Sequence, residues 1–411
     1  MKIAEIKQHI NGRSDLLDYI ALTLTITGIF FISLNTGIVN TIFPIIAILF
    51  LFSGRWHEKW QIIKNEKIII FGVLLLIFFI IGIFYSEGSL KYTLQGFFKY
   101  TKILYLIFLL PLFAFHRNWK KVAENAFIFG VLINIIVALL NIHNIAVFGK
   151  IAIIPGGYFM HPIYTDVLLA FSMFILANRI ANKDEYLWIN VGLLLICLYT
   201  LFFVYIERTG YLLAIGLLFL FILQRSNRRA ILPLMISAII AIFAIYKFSP
   251  TFNQRVHEAK SNAIEYTKNN TFSSIGKRMD FAKYSFQIIK SHPLIGTGTG
   301  SFAEVYAKTN VPTIDEGKLL GHPHNEFIFI TIQIGLLGLG VFLFWLLIQW
   351  LGTYKLSREN KLLAQGLIIT FVLNGFTNVV LSINATGMLY IVFLSIYFAS
   401  KYSKSNVKSS K

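Results

Sequence analysis

Charge and cysteine are what this sequence has little of. Only 14% of its 411 residues are Asp, Glu, Lys or Arg, against 56% hydrophobic residues. A soluble chain of two or three domains does not have that balance, so the composition is that of an integral membrane protein. The one cysteine, Cys197, sits inside an apolar run, which excludes an internal disulfide and a cysteine metal cluster. Acidic side chains are the scarcer sign, 19 against 37 Lys and Arg. In a soluble protein that excess would point to nucleic acid. Here the placement of the basic residues explains it better, and no nucleic-acid partner is expected.

What the chain does have is long apolar runs. Twelve stretches are long enough, or nearly so, for a helix to cross a bilayer core about 30 Å thick: residues 16–34, 38–53, 68–85, 97–115, 122–142, 163–180, 187–206, 209–223, 230–248, 325–351, 362–383 and 386–400. Each is apolar around its whole circumference, which suits helices that satisfy their own backbone in lipid and not the alternating strands of a membrane barrel. The fold class is therefore all-α, a polytopic bundle of about twelve transmembrane helices. If the N-terminus starts in the cytoplasm, the cytoplasmic segments hold 22 Lys or Arg, while the short connections opposite carry only Lys91, Lys150 and Arg208. This is the positive-inside asymmetry, and it predicts cytoplasmic termini in a bacterial inner membrane. The first run, with no small-residue cleavage site after it, reads as an uncleaved helix. The organisation is then helices 1–9 over 1–248, a long loop over 249–323, helices 10–12 over 324–400, and a basic cytoplasmic tail over 401–411, read as an anchor at the anionic leaflet.

The long loop alone has ordinary polar composition. Met279, Ala282, Phe286 and Ile289 recur at helical spacing with Lys283 and Lys290 opposite, predicting an amphipathic helix at the membrane surface. Phe252, Val256, Ala259, Ala263 and Tyr266 give a weaker pattern of the same kind. Gly296, Gly298 and Gly300 follow no strand and precede no Lys-Ser/Thr pair, so they read as a flexible turn and not a phosphate loop.

Several polar residues gather at the outer face. Arg208, in Glu207-Arg208-Thr209-Gly210, sits at a depth where ionisable groups face a cavity or else snorkel to headgroups. Arg278 opens the amphipathic helix, and its planar fork suits phosphate, though a solvated basic face is the plainer reading. Gly321-His322-Pro323-His324-Asn325-Glu326 closes the loop. A His-x-His pair across proline is a poor metal site, so no metal is expected, and general-base work suits His324 better. A capping histidine is the bland alternative. His161 is a further outer-face histidine, and Lys99 and Lys102 either line the same cavity or snorkel.

Taken in order, Arg208-Thr209-Gly210, Gly276-Lys277-Arg278, His292-Pro293-Leu294-Ile295-Gly296-Thr297-Gly298, His322-Pro323-His324-Asn325-Glu326-Phe327 and Ile334-Gly335-Leu336-Leu337-Gly338 resemble the O-antigen ligase and O-antigen polymerase superfamily of bacterial envelope glycosyltransferases. The resemblance implies transfer of a glycan from undecaprenyl pyrophosphate to an acceptor sugar at the periplasmic face, with inversion and without nucleotide sugar, metal or other cofactor. It implies that Arg208 and Arg278 hold the pyrophosphate, that His324 activates the acceptor hydroxyl, and that Asn325 or Glu326 orients the ring, with His322, His161, Lys99 and Lys102 in support. All three principal residues fall on the outer side of the charge-derived topology, as such a site requires. The compact length and His161-Pro162-Ile163-Tyr164 look ligase-like, with lipid A-core as acceptor. A polymerase joining lipid-linked repeats, or a flippase or solute transporter, are the alternatives. Twelve spans fit a transporter equally well, but its site belongs near the midplane in broken helices, whereas these charges gather at one face. Membrane lipids are expected partners, and the oligomeric state is not legible.

Overall fold

The computed structural model describes residues 13–267, 273–309 and 321–402. The basic tail read as an anchor therefore lies almost wholly outside the described residues. The chain is a helical bundle with no strand among those residues, only an isolated bridge between Val147 and Lys150. The first half runs through α1 (Arg13–Phe31), α2 (Thr36–Phe52), α3 (Trp56–Asn65), α4 (Lys67–Phe84), α5 (Leu90–Tyr100), α6 (Tyr105–Phe115), α7 (Trp119–Ile142) and α8 (Pro162–Ala181). It continues through α9 (Leu187–Tyr199), α10 (Arg208–Arg225), α11 (Arg228–Phe248), α12 (Pro250–Thr267), α13 (Ser274–Ser291), α14 (Phe302–Ala307), α15 (Glu326–Thr353), α16 (Arg358–Thr377) and α17 (Asn384–Phe398).

All twelve apolar runs fall on helices. Among the described residues eight helices are long and apolar enough to cross a membrane, or nine if the sharply bent pair α2 and α3 is one span. The count of twelve is higher because α2 and α17 are only 17 and 15 residues long, while α1 and α16 carry charged or amide side chains in their first turns. Central α17 is short because it is sheathed by protein: every residue from Ala385 to Phe398 is buried. Peripheral α11 has one buried residue, Ala238, and presents Leu232, Ile236, Ile239, Ile240 and Phe243 outward, as a helix facing lipid does.

The glycine segment is not a flexible turn. Gly296, Gly298 and Gly300 all have positive φ, and Thr297, Thr299 and Ser301 between and beside them are buried. They form a strap filling a break in α15, where Ile334 and Gly335 leave helical geometry and Gly335 has φ 67°. Thr297 N–H donates to Ile332 O (2.7 Å), Gly298 N–H to Gln333 O (2.9 Å), Leu336 N–H to Pro293 O (2.9 Å) and Leu337 N–H to Leu294 O (3.2 Å). A broken helix within a bilayer must have its freed backbone groups satisfied by protein, and the strap does this on both sides of the break. A Cβ on Gly298 would lie 2.2 Å from the Ser86 Cα, and one on Gly335 would lie 2.1 Å from Leu294 O. Only glycine permits that approach.

The amphipathic helix exists as α13, but its protein-facing side is Phe281, Ser285 and Ile288. Met279 and Phe286 of the expected face are exposed. The apolar face visible in the sequence is thus the one left open, and the buried face is hidden from the pattern by Ser285. In α12 only Phe252 packs deeply, among Phe202, Tyr211 and Tyr246.

Candidate active site

One end of the bundle gathers the candidate residues. There α9 finishes in a wide turn over 200–204, Tyr205 to Glu207 leave the helix, and α10 begins at Arg208. The break is held by α12, whose Arg255 donates Nε–H to Ile206 O (2.6 Å) and pairs with Glu258 (2.5 Å). Thr209 Oγ1 donates to Thr377 Oγ1 (3.4 Å), tying the start of α10 to the end of α16. Gly210 is glycine for space: a Cβ there would lie 2.5 Å from Oδ2 of fully buried Asp166. Arg208 is half-buried and within electrostatic range of Arg255, Arg278, Glu258 and Glu207.

Arg278 arrives from α13, whose first turn is capped by Ser273 accepting from Gly276 N–H (3.0 Å). Burial draws its guanidinium below its ordinary value while Glu207 opposes the shift. Two half-buried arginines from different helices therefore share Glu207 as an acidic neighbour, with Glu258 also near Arg208. One turn on, the buried Phe281 ring stacks on His324, with centroids 5.6 Å apart and planes at 20°.

His324 has φ 53°, a left-handed backbone that non-glycine residues seldom adopt. It lies just before the N-cap of α15, and its ring meets that of His322 edge-on at 4.5 Å. The His322 Nδ1 accepts a long bond from His324 N–H (3.4 Å). His324 Nδ1 is buried and has no hydrogen-bond partner among the described residues. Burial, then the charges of Arg278 and His161, hold His324 at about 4 against the pull of Asn378. His322 is held at about 3 by burial first, then by His324, Lys99 and His161. Both rings are therefore neutral at pH 7.

The supporting residues divide. His161 is exposed, caps α8 by accepting from Ile163 N–H (3.4 Å), and is felt by both other histidines. Lys99 is exposed and felt by His322. Lys102 neither snorkels nor lines the site: it is buried and donates to Ile383 O (3.0 Å) and Asn384 Oδ1 (3.2 Å). Asn325 accepts from Ile328 N–H (3.0 Å) as the cap of α15 and donates to Phe376 O (3.3 Å). Glu326, fully buried, accepts from Val380 N–H (2.6 Å). The hydrogen bonds of both thus go to backbone and not to the His324 ring. Asn378, whose amide opposes the lowering of the His324 pKa, falls in the run read as a span over 362–383, but α16 ends at Thr377. Glu207, Arg255 and Phe281 were also not assigned to the site.

Among the described residues no group of three or more His, Cys, Asp and Glu side chains is arranged to hold a metal ion. What the arrangement offers is two guanidiniums for an anion beside a neutral imidazole. Residues 192–343 match the family model for O-antigen ligase. That match supports, over its own length, the resemblance read from the sequence motifs. The matched segment, a little over a third of the chain, holds Arg208, Arg278, His322, His324, Asn325 and Glu326. His161, Lys99, Lys102 and Asn378 lie outside the O-antigen ligase match. No curated protein matches the sequence.

Proposed function

We propose that this protein is an O-antigen ligase, transferring a glycan from undecaprenyl pyrophosphate to a sugar of lipid A-core at the periplasmic face of the inner membrane, with inversion. The observation that carries the reading is the neutral, half-buried His324, its buried Nδ1 unpartnered among the described residues, beside Arg278, which is itself within electrostatic range of Arg208. Arg208 and Arg278 would hold the pyrophosphate, whose negative charge grows as its bond to the anomeric carbon breaks. Cations fixed at that point stabilise the transition state more than the ground state. His324 would take the proton of the acceptor hydroxyl as its oxygen forms the new glycosidic bond, and the bonding electrons would leave with undecaprenyl pyrophosphate. His322, His161 and Lys99 would line the acceptor side of the imidazole.

A transporter reading draws on the break in α15, because broken helices bind solutes at the midplane. Here the break is filled by the strap, and the cations lie at the end of the bundle. The test is reconstitution of the purified protein with undecaprenyl-pyrophosphate-linked glycan and lipid A-core, comparing wild type with His324→Ala. The expected result is transfer to lipid A-core that falls about 10²- to 10⁴-fold in the variant, as removal of a general base does, with donor binding retained. Longer lipid-linked glycans without a lipid A-core product would make the protein a polymerase. Absence of transfer to either acceptor would overturn the glycosyltransferase reading.

A further inference from the structure

The connection from α7 to α8 displays apolar side chains that its own hydrogen bonds keep from collapsing onto the bundle. Ile145, Phe148, Ile151, Ile153 and Ile154 are all exposed, Phe148 to 89% and Ile153 to 100%. Asn141, buried at the end of α7, clamps both arms: its Nδ2–H donates to Ile145 O (3.1 Å) and its Oδ1 accepts from Ala152 N–H (2.9 Å). Val147 and Lys150 exchange two backbone hydrogen bonds (2.9 and 3.0 Å). They close a turn whose central residues, Phe148 and Gly149, both have positive φ, 47° and 72°. Such a turn favours Asn-Gly, and a bulky aromatic at its first position is strained. The exposed Phe148 ring gains little packing from the described residues to offset that strain. The hairpin is also braced from behind. Tyr158 Oη donates to Val147 O, Gly157 N–H to Ile154 O (2.9 Å) and Thr165 Oγ1 of α8 to Gly156 O (2.9 Å). Gly156 lies against the Tyr205 ring, where a Cβ would come within 3.1 Å, so the hairpin is joined to the break that precedes Arg208.

The surface that leads to the hairpin says what covers it. On α7, one of the helices long and apolar enough to cross a membrane, Val122, Phe129 and Ile136 recur at seven-residue intervals and are all exposed. Ile142, the last residue of the helix, is exposed as well, so the hairpin starts where this lipid-facing stripe ends. Between Glu124 and Asp166 the sequence has no carboxylate, and Lys150 is its one Lys or Arg. Aromatic and aliphatic tips with a cation and no acid suit the boundary between anionic headgroups and acyl chains. We propose that residues 145–154 are a hairpin that dips into the bilayer leaflet at the histidine end of the bundle. Phe148 and Ile153 enter the acyl boundary, and the Lys150 ammonium stays at the level of anionic headgroups, its stem lying along the apolar part. Lipid contact supplies the packing that Phe148 lacks within the chain. Through Gly156 and Tyr205 the inserted hairpin also sets the depth at which the turn before Arg208 meets the headgroups.

Spin labelling of the full chain, reconstituted in vesicles of phosphatidylethanolamine and phosphatidylglycerol, tests the placement. Cys197 is buried, so a nitroxide goes to the introduced thiol, and unlabelled wild type is the control. Labels are placed by Phe148→Cys, Ile153→Cys and Lys150→Cys, with Ile239→Cys on the outward face of α11 as the lipid reference. Oxygen concentrates in hydrocarbon and a nickel chelate stays in water, so their collision rates with the label read its depth. At 148 and 153 oxygen should collide more often than the chelate, as at 239, while at 150 the chelate should prevail. Ile153→Cys leaves Phe148 and the turn as they are, so the test survives a change of turn geometry in Phe148→Cys. Chelate collisions that prevail at both 148 and 153 would show a hairpin standing in water and overturn the proposal. Labels shielded from both reagents would show it covered by protein, from this chain or a second copy, and overturn it equally. In vesicles of phosphatidylcholine alone the label at 148 should become more open to the chelate, and an unchanged profile would overturn the role given to Lys150.

Discussion

A histidine held at about 4 is neutral at pH 7 but a weak base, so its usefulness depends on what happens when the donor arrives. Burial and Arg278 both disfavour the imidazolium. A pyrophosphate on Arg278 would offset the second of these and raise the affinity of His324 for a proton just when it must accept one. The sign is fixed: the free enzyme loses its base only as pH falls through about 4, whereas the donor complex loses it at higher pH. Rate profiles should show the acid limb of kcat above that of kcat/KM, which reports the free enzyme; the reverse order would sink this account. At the same scale, Arg278→Lys keeps the charge but loses the fork that, on the proposed function, would meet two phosphate oxygens. Its kcat/KM should drop by about 10- to 100-fold, the loss of one charge-assisted bond being about 1.5–3 kcal/mol. An unchanged value would mean that Arg278 acts only as distant charge.

At the scale of elements, the strap and the break in α15 stand or fall together. Gly335 combines φ 67° with ψ −174°, a region open essentially to glycine alone, so Gly335→Ala introduces strain of about 1–3 kcal/mol. The added methyl also strikes Leu294 O. A clear drop in the melting temperature of the detergent-solubilised protein is expected, and a variant that melts with wild type would show that strap and helix separate at no cost. This pair shows where sequence reading stops. Helix positions follow from local apolar runs, and the order of Arg208, Arg278 and His324 is visible in short local motifs. The glycines of 296–300 were equally visible, but their rigidity comes from Ile332 to Leu337, more than thirty residues away, and nothing local announces that pairing. Arg255 is a further case, because Arg208 meets it only once the break after α9 is packed against α12. Ser285 hid the buried face of α13, since a small hydroxyl can pack where a hydropathy pattern expects water.

Over the whole molecule the two ends of the bundle differ in kind. The end away from the histidines is laced by charge pairs between connections: Arg55 with Asp18, Lys120 with Glu359 (2.7 Å), Lys121 with Asp184 (2.8 Å) and Lys401 with Glu66 (2.9 Å). Asp18 and Glu66 are buried, while Glu359 and Lys121 are exposed and their pairs stabilise modestly; together the four pairs identify which connections share a face. Those same connections carry most of the basic residues outside the long loop. The positive-inside rule predicts that this end faces the cytoplasm, which on the proposed function would put Arg208, Arg278 and His324 in the opposite compartment with a lipid-linked glycan already flipped across the membrane. The assignment can be tested by thiol labelling because the native cysteine is silent: Cys197 is 1% exposed and should not react with an impermeant maleimide. Lys150→Cys lies in the connection before α8, at the histidine end, and Ser226→Cys lies between α10 and α11, at the other. In intact spheroplasts the impermeant reagent should label Lys150→Cys and spare Ser226→Cys until the membrane is permeabilised. Labelling in the opposite order would put the imidazole and both arginines in the cytoplasm. The donor would then have to be used before it crosses the membrane, and a periplasmic transfer would be excluded whatever the chemistry of His324.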